Sequence, residues 1–275
     1  MNTNDGVAAL YSYPLPIDIG SRRMAVFAEG CFSPLGAKTA VCLARFVPEE
    51  LVAVIDSTLA PSTVQETLGF GGRVPIVSSI AEALALGADV FVLGTAPKGG
   101  QPTAAELSAV AEALESGLHV MHGMHRFLGD DPELAALAEA NNVLIWDVRR
   151  PPARLSVSSG ESRSDCLVIM TVGSDCNTGK MTVGRELVMA LRENGIRAGF
   201  AASGQTGMMI TGRGLPIDAV VSDFLGGATE VLVAGTAEGH DVVVLEGQGS
   251  ILHPGYAGCT IGMIAGALPH GLVLC

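Results

Sequence analysis

The chain has 275 residues, which at roughly 150 residues per domain predicts two domains. Glycine fills 35 positions, nearly twice the usual share of about 7%, and charged residues make up only 16% against about 25% in an average protein. With 48% hydrophobic residues the chain can offset its ordering entropy, so disorder is excluded. A formal net charge of −12 excludes non-specific binding to nucleic acid or to an anionic membrane, both of which need a basic surface.

Six cysteines stand at 31, 42, 166, 176, 259 and 275 with no C-x-x-C pair. That scatter predicts reduced cytoplasmic thiols and argues against a zinc site. Residues 1–23 read as an acidic, proline-broken extension with no basic n-region or apolar h-region, hence no signal peptide. The uncharged stretch from Tyr256 to Cys275 is interrupted by Pro269, His270 and four glycines, so it is not read as a membrane span. The low charge and high apolar content predict a homo-oligomer.

From Met24 to residue 148, apolar runs alternate with helical patterns: MAVFAEG, LVAVID, RVPIV, DVFVLG, LHVMHG and VLIWDV. This is the pattern of a Rossmann-like α/β domain with a parallel sheet. Helices are expected over 37–45, 79–86, 102–115 and 132–140. The last has Asp131 at its N-cap and Pro132 at its first position. Residues 149–165, with two prolines, four arginines and five serines, read as a linker. A second α/β series fills 166–275: strand CLVIMTV, a helix over 182–194, strand IRAGFAAS, a loop over 203–214, a longer helix over 217–237, strand DVVVLEG, a loop to Tyr256, a small-residue helix and a last strand GLVLC. The fold class is therefore α/β, a Rossmann-like domain followed by a P-loop-type domain.

The segment TVGSDCNTGKMTVGREL has the order strand, glycine loop, lysine, helix that a phosphate loop requires. Gly173, Ser174, Asp175, Cys176, Asn177, Thr178, Gly179, Lys180, Met181 and Thr182 are the candidate cofactor-binding residues. Backbone N–H groups at the helix N-terminus would face the anion, and Lys180 would add a positive charge. Two departures from G-x-x-x-x-G-K-[ST] matter. Gly173 precedes Gly179 by six positions, as in dethiobiotin synthetases, and Met181 stands where a hydroxyl normally holds Mg²⁺. Unless Thr182 substitutes, such a loop suits phosphates that are bound and not cleaved, as in coenzyme A, and no metal is expected. A plain glycine turn with an exposed lysine is the bland alternative.

Glu246 ends the strand DVVVLEG, at the edge where open α/β sheets gather ligands, and is a candidate general base. His253 in the following loop is a second, because imidazole titrates near neutral pH. Asp223, in the predicted long helix, is a third catalytic candidate, with a core-edge acid as its structural reading. Gln205, Thr206 and Arg213 come from the loop after IRAGFAAS, and Arg213 has the fork for a carboxylate or phosphate. In the first domain Asp56 ends the second strand in the place of a ribose-binding acid, but no G-x-G-x-x-G precedes it, so a nicotinamide site is weakly indicated. Lys98 in GTAPKGGQ, together with His122, His125 and Arg126, is expected to face an anionic substrate. His119 and His122 point to opposite faces if they share a strand, which argues against a metal site.

Together SDCNTGKMT, ASGQTG, GRGLPIDAVVSDFLGGA, HDVVVLEGQGSILHPGYAG and HGMHRFLGDDPE resemble the family of DgcN-type D-glutamate N-acetyltransferases, formerly a domain of unknown function, over roughly residues 28–275. The resemblance implies transfer of acetyl from acetyl-CoA to the amino group of D-glutamate or a related D-amino acid. It also implies a chain shortened relative to members that continue beyond GLVLC. An ATP-dependent ligase or kinase of dethiobiotin-synthetase type, a non-catalytic CoA or nucleotide sensor, and a nicotinamide-dependent epimerase are the rival readings.

Overall fold

The computed structural model describes residues 14–18, 20–95, 99–161 and 165–275. The chain divides at residues 149 and 150 into two compact units.

The N-terminal unit holds a seven-stranded sheet. Its strands are β1 (Met24–Phe27), β2 (Leu51–Ile55), β3 (Ser62–Thr63), β4 (Pro75–Val77), β5 (Val90–Leu93), β6 (His119–His122) and β7 (Ile145–Asp147), in the order β3-β4-β2-β1-β5-β6-β7. All pairs are parallel except β3 with β4. That two-residue edge strand is a feature the apolar runs do not announce, because Ser62 and Thr63 carry no apolar signal. Helices α1 (Lys38–Phe46), α2 (Val64–Leu68), α3 (Ile80–Ala85), α4 (Ala104–Glu115) and α5 (Pro132–Ala140) connect the strands. Side chains fix several starts: Thr63 and Thr103 form capping boxes with Glu66 and Glu106, Ser79 caps α3, and Asp131 caps α5. Each such cap contributes about 1 kcal/mol. Phe91, Val110, Leu114, Leu118, Val120 and Leu128 are among the residues of one continuous core.

The C-terminal unit is a four-stranded parallel sheet of β8 (Leu167–Val172), β9 (Ala198–Ala201), β10 (Val242–Leu245) and β11 (Gly271–Leu274), in the order β11-β8-β10-β9. Helices α6 (Lys180–Glu193), α7 (Gln205–Thr211), α8 (Ser222–Ala237) and α9 (Ala257–Ala267) complete it. Three expectations are corrected here. Helix α6 begins at Lys180 and not at Thr182, since the glycine loop delivers the chain directly into helical geometry. The loop expected over 203–214 contains α7, a helix rich in small and methionine residues without a clear apolar period. The helix expected over 217–237 is split. Ile217–Ala219 is a single 3₁₀ turn, and Val220 and Val221 are extended, with ψ of 138° and 136°. Two consecutive β-branched residues favour that conformation, and α8 proper starts at Ser222.

Residues 150–161 form no helix or strand. They run along the C-terminal unit, where Glu230 of α8 accepts hydrogen bonds from Ser158 Oγ, Ser159 N and Ser159 Oγ at 2.5–2.7 Å. Burial raises the Glu230 pKa, but the bonds from the two serines outweigh it and leave the carboxyl below its usual value. Leu155 packs on the core formed by Val168, Met170, Leu232, Val243 and their neighbours. The upper part of the segment read as a linker, 162–164, lies outside the described residues.

Candidate functional site

Strand β8 has β10 on one side and β11 on the other, and its carboxyl end opens into residues 173–179 before α6 begins. Two residues in this turn have left-handed backbones, Asn177 (φ 61°) and Gly179 (φ 99°). A turn of this kind, running into a helix N-terminus, presents several N–H groups to one side and makes an anion-binding concavity. The first-turn N–H groups of α6 have no intrahelical acceptor, so they are available to such an anion. Gly173 is required by close approach: a Cβ there would lie 2.4 Å from Thr178 Oγ1 and 2.8 Å from Lys180 Nζ. Lys180 is only 8% exposed, and its Nζ donates to the carbonyl of Asp175 at 2.9 Å. Thr178 Oγ1 donates to the same carbonyl at 3.2 Å. Residues 174–177 are exposed.

Met181 is 4% exposed and offers no oxygen. Thr182, half-buried, follows it on the helix. Because successive helical residues are turned by about 100°, Thr182 does not occupy the direction that Met181 takes up.

The segment after β10 is stitched to this turn. Gly247 N donates to Thr171 Oγ1 at 3.1 Å, Ile251 N to the Gly173 carbonyl at 2.9 Å, and Ser250 Oγ to the Ser174 carbonyl at 2.7 Å. Ser250 is fully buried and also accepts from Leu252 N and His253 N at 3.1 and 2.9 Å. Glu246, 4% exposed, accepts at Oε2 from the N–H groups of Ser203 (3.1 Å) and Gly204 (3.2 Å). Gly207 in α7 makes room for that carboxylate, since a Cβ there would come within 2.4 Å of Oε2. Ser203 Oγ donates to the Glu246 carbonyl at 2.5 Å and accepts from Gln248 Nε2 at 3.0 Å. The ends of β8, β9 and β10 thus form one hydrogen-bonded rim.

Gln205 and Thr206 open α7, beside the glycine whose N–H holds Glu246. Arg213 is exposed, and its carbonyl accepts from Thr211 Oγ1 at 2.7 Å. Asp223 sits exposed in the first turn of α8, where an acid is favoured by the helix dipole, and none of the contacts of the rim involve it. Cys259, in the first turn of α9, is an unreactive thiol. Burial, then the charges of Asp218 and Cys176, push its pKa up to about 12. Ser203, Gln248 and Ser250 went unread in the sequence; their signal is a small polar residue beside a glycine at a strand end, too common to stand out.

In the N-terminal unit the strand order reverses between β1 and β5, and the residues there are committed to one another. Asp56 is fully buried and accepts from Phe32 N (3.1 Å), Thr58 N (3.0 Å) and Thr58 Oγ1 (2.6 Å). Burial raises its pKa, yet these bonds outweigh it and the carboxyl lies below its ordinary value. An acid so occupied braces the loops that follow β1 and β2.

His122 is likewise engaged by its neighbours. It is fully buried, with Nε2 2.7 Å from Asp147 Oδ1 and Nδ1 accepting from Met124 N at 3.2 Å. Both ring nitrogens are therefore engaged within this unit. His122→Ala should destabilise this unit by about 2 kcal/mol, because it removes the imidazole from a buried carboxylate that still accepts from Leu128 N and Gly129 N. Urea unfolding followed by circular dichroism reads that loss. His125 and Arg126 are exposed, and Arg126 Nη2 donates to Asp131 Oδ2 at 2.5 Å. Lys98 lies outside the described residues.

Two family models match in succession. Residues 57–151 match the domain of unknown function described as the DUF1611_N Rossmann-like domain, and residues 156–275 match the DUF1611_C P-loop domain. The chain belongs to the DUF1611 family. A crystal structure of a DUF1611 family protein from Anabaena variabilis is 39% identical, with a TM-score of 0.86 over 92% of this chain and 74% of that one. Two curated relatives are named D-glutamate N-acetyltransferase. The one from a Pseudoalteromonas species is 39% identical over 72% of this chain and 59% of its own length. The one from Tritonibacter scottomollicae is 35% identical over 88% of this chain and 69% of its own length. This DUF1611 chain therefore spans 59% and 69% of the lengths of these relatives. The family descriptions agree with the α/β reading of both halves, Rossmann-like and then P-loop. Among the described residues no group of three or more His, Cys, Asp or Glu could hold a metal ion, and no helix is long and apolar enough to cross a membrane.

Proposed function

We propose that this chain transfers an acetyl group from acetyl-CoA to the amino group of D-glutamate or a related D-amino acid. The names of the two curated relatives support the reaction. The single observation that carries the choice of cosubstrate is a phosphate loop built without its usual metal ligand. Lys180 and the first-turn amides remain, while the hydroxyl position is a buried methionine. Such a loop is suited to hold the diphosphate of CoA and unsuited to activate it for cleavage.

The chemistry then divides among the rim residues. The acceptor ammonium must lose a proton before its nitrogen can attack the thioester carbonyl. Glu246 is the proposed proton acceptor, and the intermediate collapses by expelling the CoA thiolate. Arg213 is proposed to pair with an acceptor carboxylate, with Gln205 and Thr206 lining the same edge. The six free cysteines support a reducing, cytoplasmic setting. The exposed side chains of Ile261, Leu272 and Leu274 support self-association.

Calorimetry against CoA, Mg-ATP and NAD tests the reading. CoA should bind with equal affinity in EDTA and in millimolar Mg²⁺. Binding of ATP alone, dependent on Mg²⁺, would replace acetyl transfer with a ligase or kinase reaction.

A further inference from the structure

We infer that Ser250 is a positioning residue for the cosubstrate, its hydroxyl holding the phosphate loop in the shape that receives the diphosphate. The inference rests on the reading that residues 173–182 seat CoA. A hydroxyl has one proton to donate and two lone pairs to accept with, and Ser250 uses all three inside the protein. It donates to the Ser174 carbonyl at 2.7 Å and accepts from Leu252 N and His253 N at 3.1 and 2.9 Å. A nucleophilic serine gives its proton to a base. This one gives it to a backbone carbonyl, and it is fully buried at the root of a turn whose residues 251–256 are exposed. Its place is between two backbones and not against a substrate.

The phosphate loop divides accordingly. Its first leg is anchored: the Gly173 carbonyl accepts from Ile251 N at 2.9 Å, the Ser174 carbonyl from Ser250 Oγ, and Ser174 N donates to the Cys275 carbonyl at 3.3 Å. Both backbone groups of Ser174 are thus tied to the scaffold, and the diphosphate falls to the arc from Asn177 to Lys180, where two left-handed residues turn the chain into α6. Residues 174–177 are exposed, and a loop of that kind left unanchored loses conformational freedom when a ligand orders it, which weakens affinity. Anchors made before the ligand arrives remove that cost. The strap that supplies them is itself fixed. Gly247 N donates to Thr171 Oγ1 at 3.1 Å, the Gln248 carbonyl accepts from Thr260 Oγ1 at 2.6 Å, and a Cβ on Gly249 would lie 2.3 Å from the Tyr256 carbonyl. Ser250 is the side chain through which this strap grips the loop.

Binding and chemistry separate in variants of this serine. Ser250→Ala should raise the calorimetric Kd for CoA and the KM for acetyl-CoA about tenfold, the size of one net hydrogen bond. The kcat at saturation and the KM for D-glutamate should stay within about twofold of wild type. Ser250→Cys is close in size but a weak donor and acceptor; it should lose as much, and it carries the test if the alanine variant does not fold. Ser250→Thr keeps the hydroxyl and should bind CoA within about threefold of wild type. A serine needed only for the fold would lower the melting temperature of the alanine and cysteine variants and leave their Kd for CoA unchanged well below melting, which would overturn the inference. A loss in the threonine variant as large as in alanine would overturn it, and so would a fall in kcat at unchanged KM for acetyl-CoA. Wild-type protein that binds CoA without acetylating D-glutamate would remove the transfer reading alone, since the Kd comparison still decides the role of Ser250. Wild-type protein that binds no CoA would remove both.

Discussion

Lys180→Ala should weaken CoA binding about 100-fold while leaving the fold intact. The ammonium is nearly buried, at 8% exposed, and its Nζ donates to the carbonyl of Asp175 at 2.9 Å. Against a diphosphate it would make charge-assisted bonds, and losing one such bond costs about 1.5–3 kcal/mol; the upper end of that range corresponds to roughly two decades in affinity. Alanine is the best helix former at this first helical position, and the change also removes a charge that burial disfavours. The variant should therefore melt near the wild-type temperature without ligand. The contrast appears on adding CoA. At about 100 times its Kd, a ligand stabilises the native state by about 2.7 kcal/mol. Wild-type protein should show the corresponding rise in melting temperature, and the variant at the same concentration almost none. Unchanged CoA affinity in Lys180→Ala would place the diphosphate elsewhere and remove the loop from the mechanism.

The loop was legible in the sequence because its physics is local. An apolar strand, a glycine-rich turn, a lysine and an amphipathic helix follow one another within seventeen residues, and each link is readable by itself. One cap is equally legible: Asp131 and Pro132 announce the start of α5 in the sequence, and the structure places it there. What the sequence did not disclose lies in partners far apart along the chain. Ser203 is 43 residues from Glu246, and Ser250 is 76 from Ser174. Neither pairing leaves a periodic trace. His122 shows the same limit from the other side. As a histidine near an arginine it reads as a substrate contact, and its pairing with Asp147, 25 residues on, leaves no trace in the sequence. The split before α8 was missed because Val220, Val221, Phe224 and Leu225 keep helical spacing across a turn that the backbone does not keep.

Glu246→Gln separates holding from proton transfer at the rim. The amide oxygen of glutamine can still accept the N–H groups of Ser203 and Gly204, now bonded to Oε2 at 3.1 and 3.2 Å, and its volume matches the space that Gly207 leaves. The fold and CoA affinity should stay within a few-fold of wild type. What disappears is a group able to take the ammonium proton, and removing a positioned general base typically costs 10²–10⁴ in rate. We expect kcat to fall about 1000-fold with KM for acetyl-CoA little changed, the pattern of an interaction used in the chemical step and not in binding. The pH dependence carries the sign. A base works only when deprotonated, so an acidic limb of the wild-type kcat–pH profile should be absent from the residual activity of the glutamine variant. Glu246→Ala would behave differently. It strands two buried amide donors at the ends of β9 and α7, each costing about 1–3 kcal/mol when left unpaired, so its loss of activity should come with a lower melting temperature. A glutamine variant that keeps its acidic limb and near-normal kcat would free Glu246 of any proton-transfer role and leave it as the brace that joins β9 to β10.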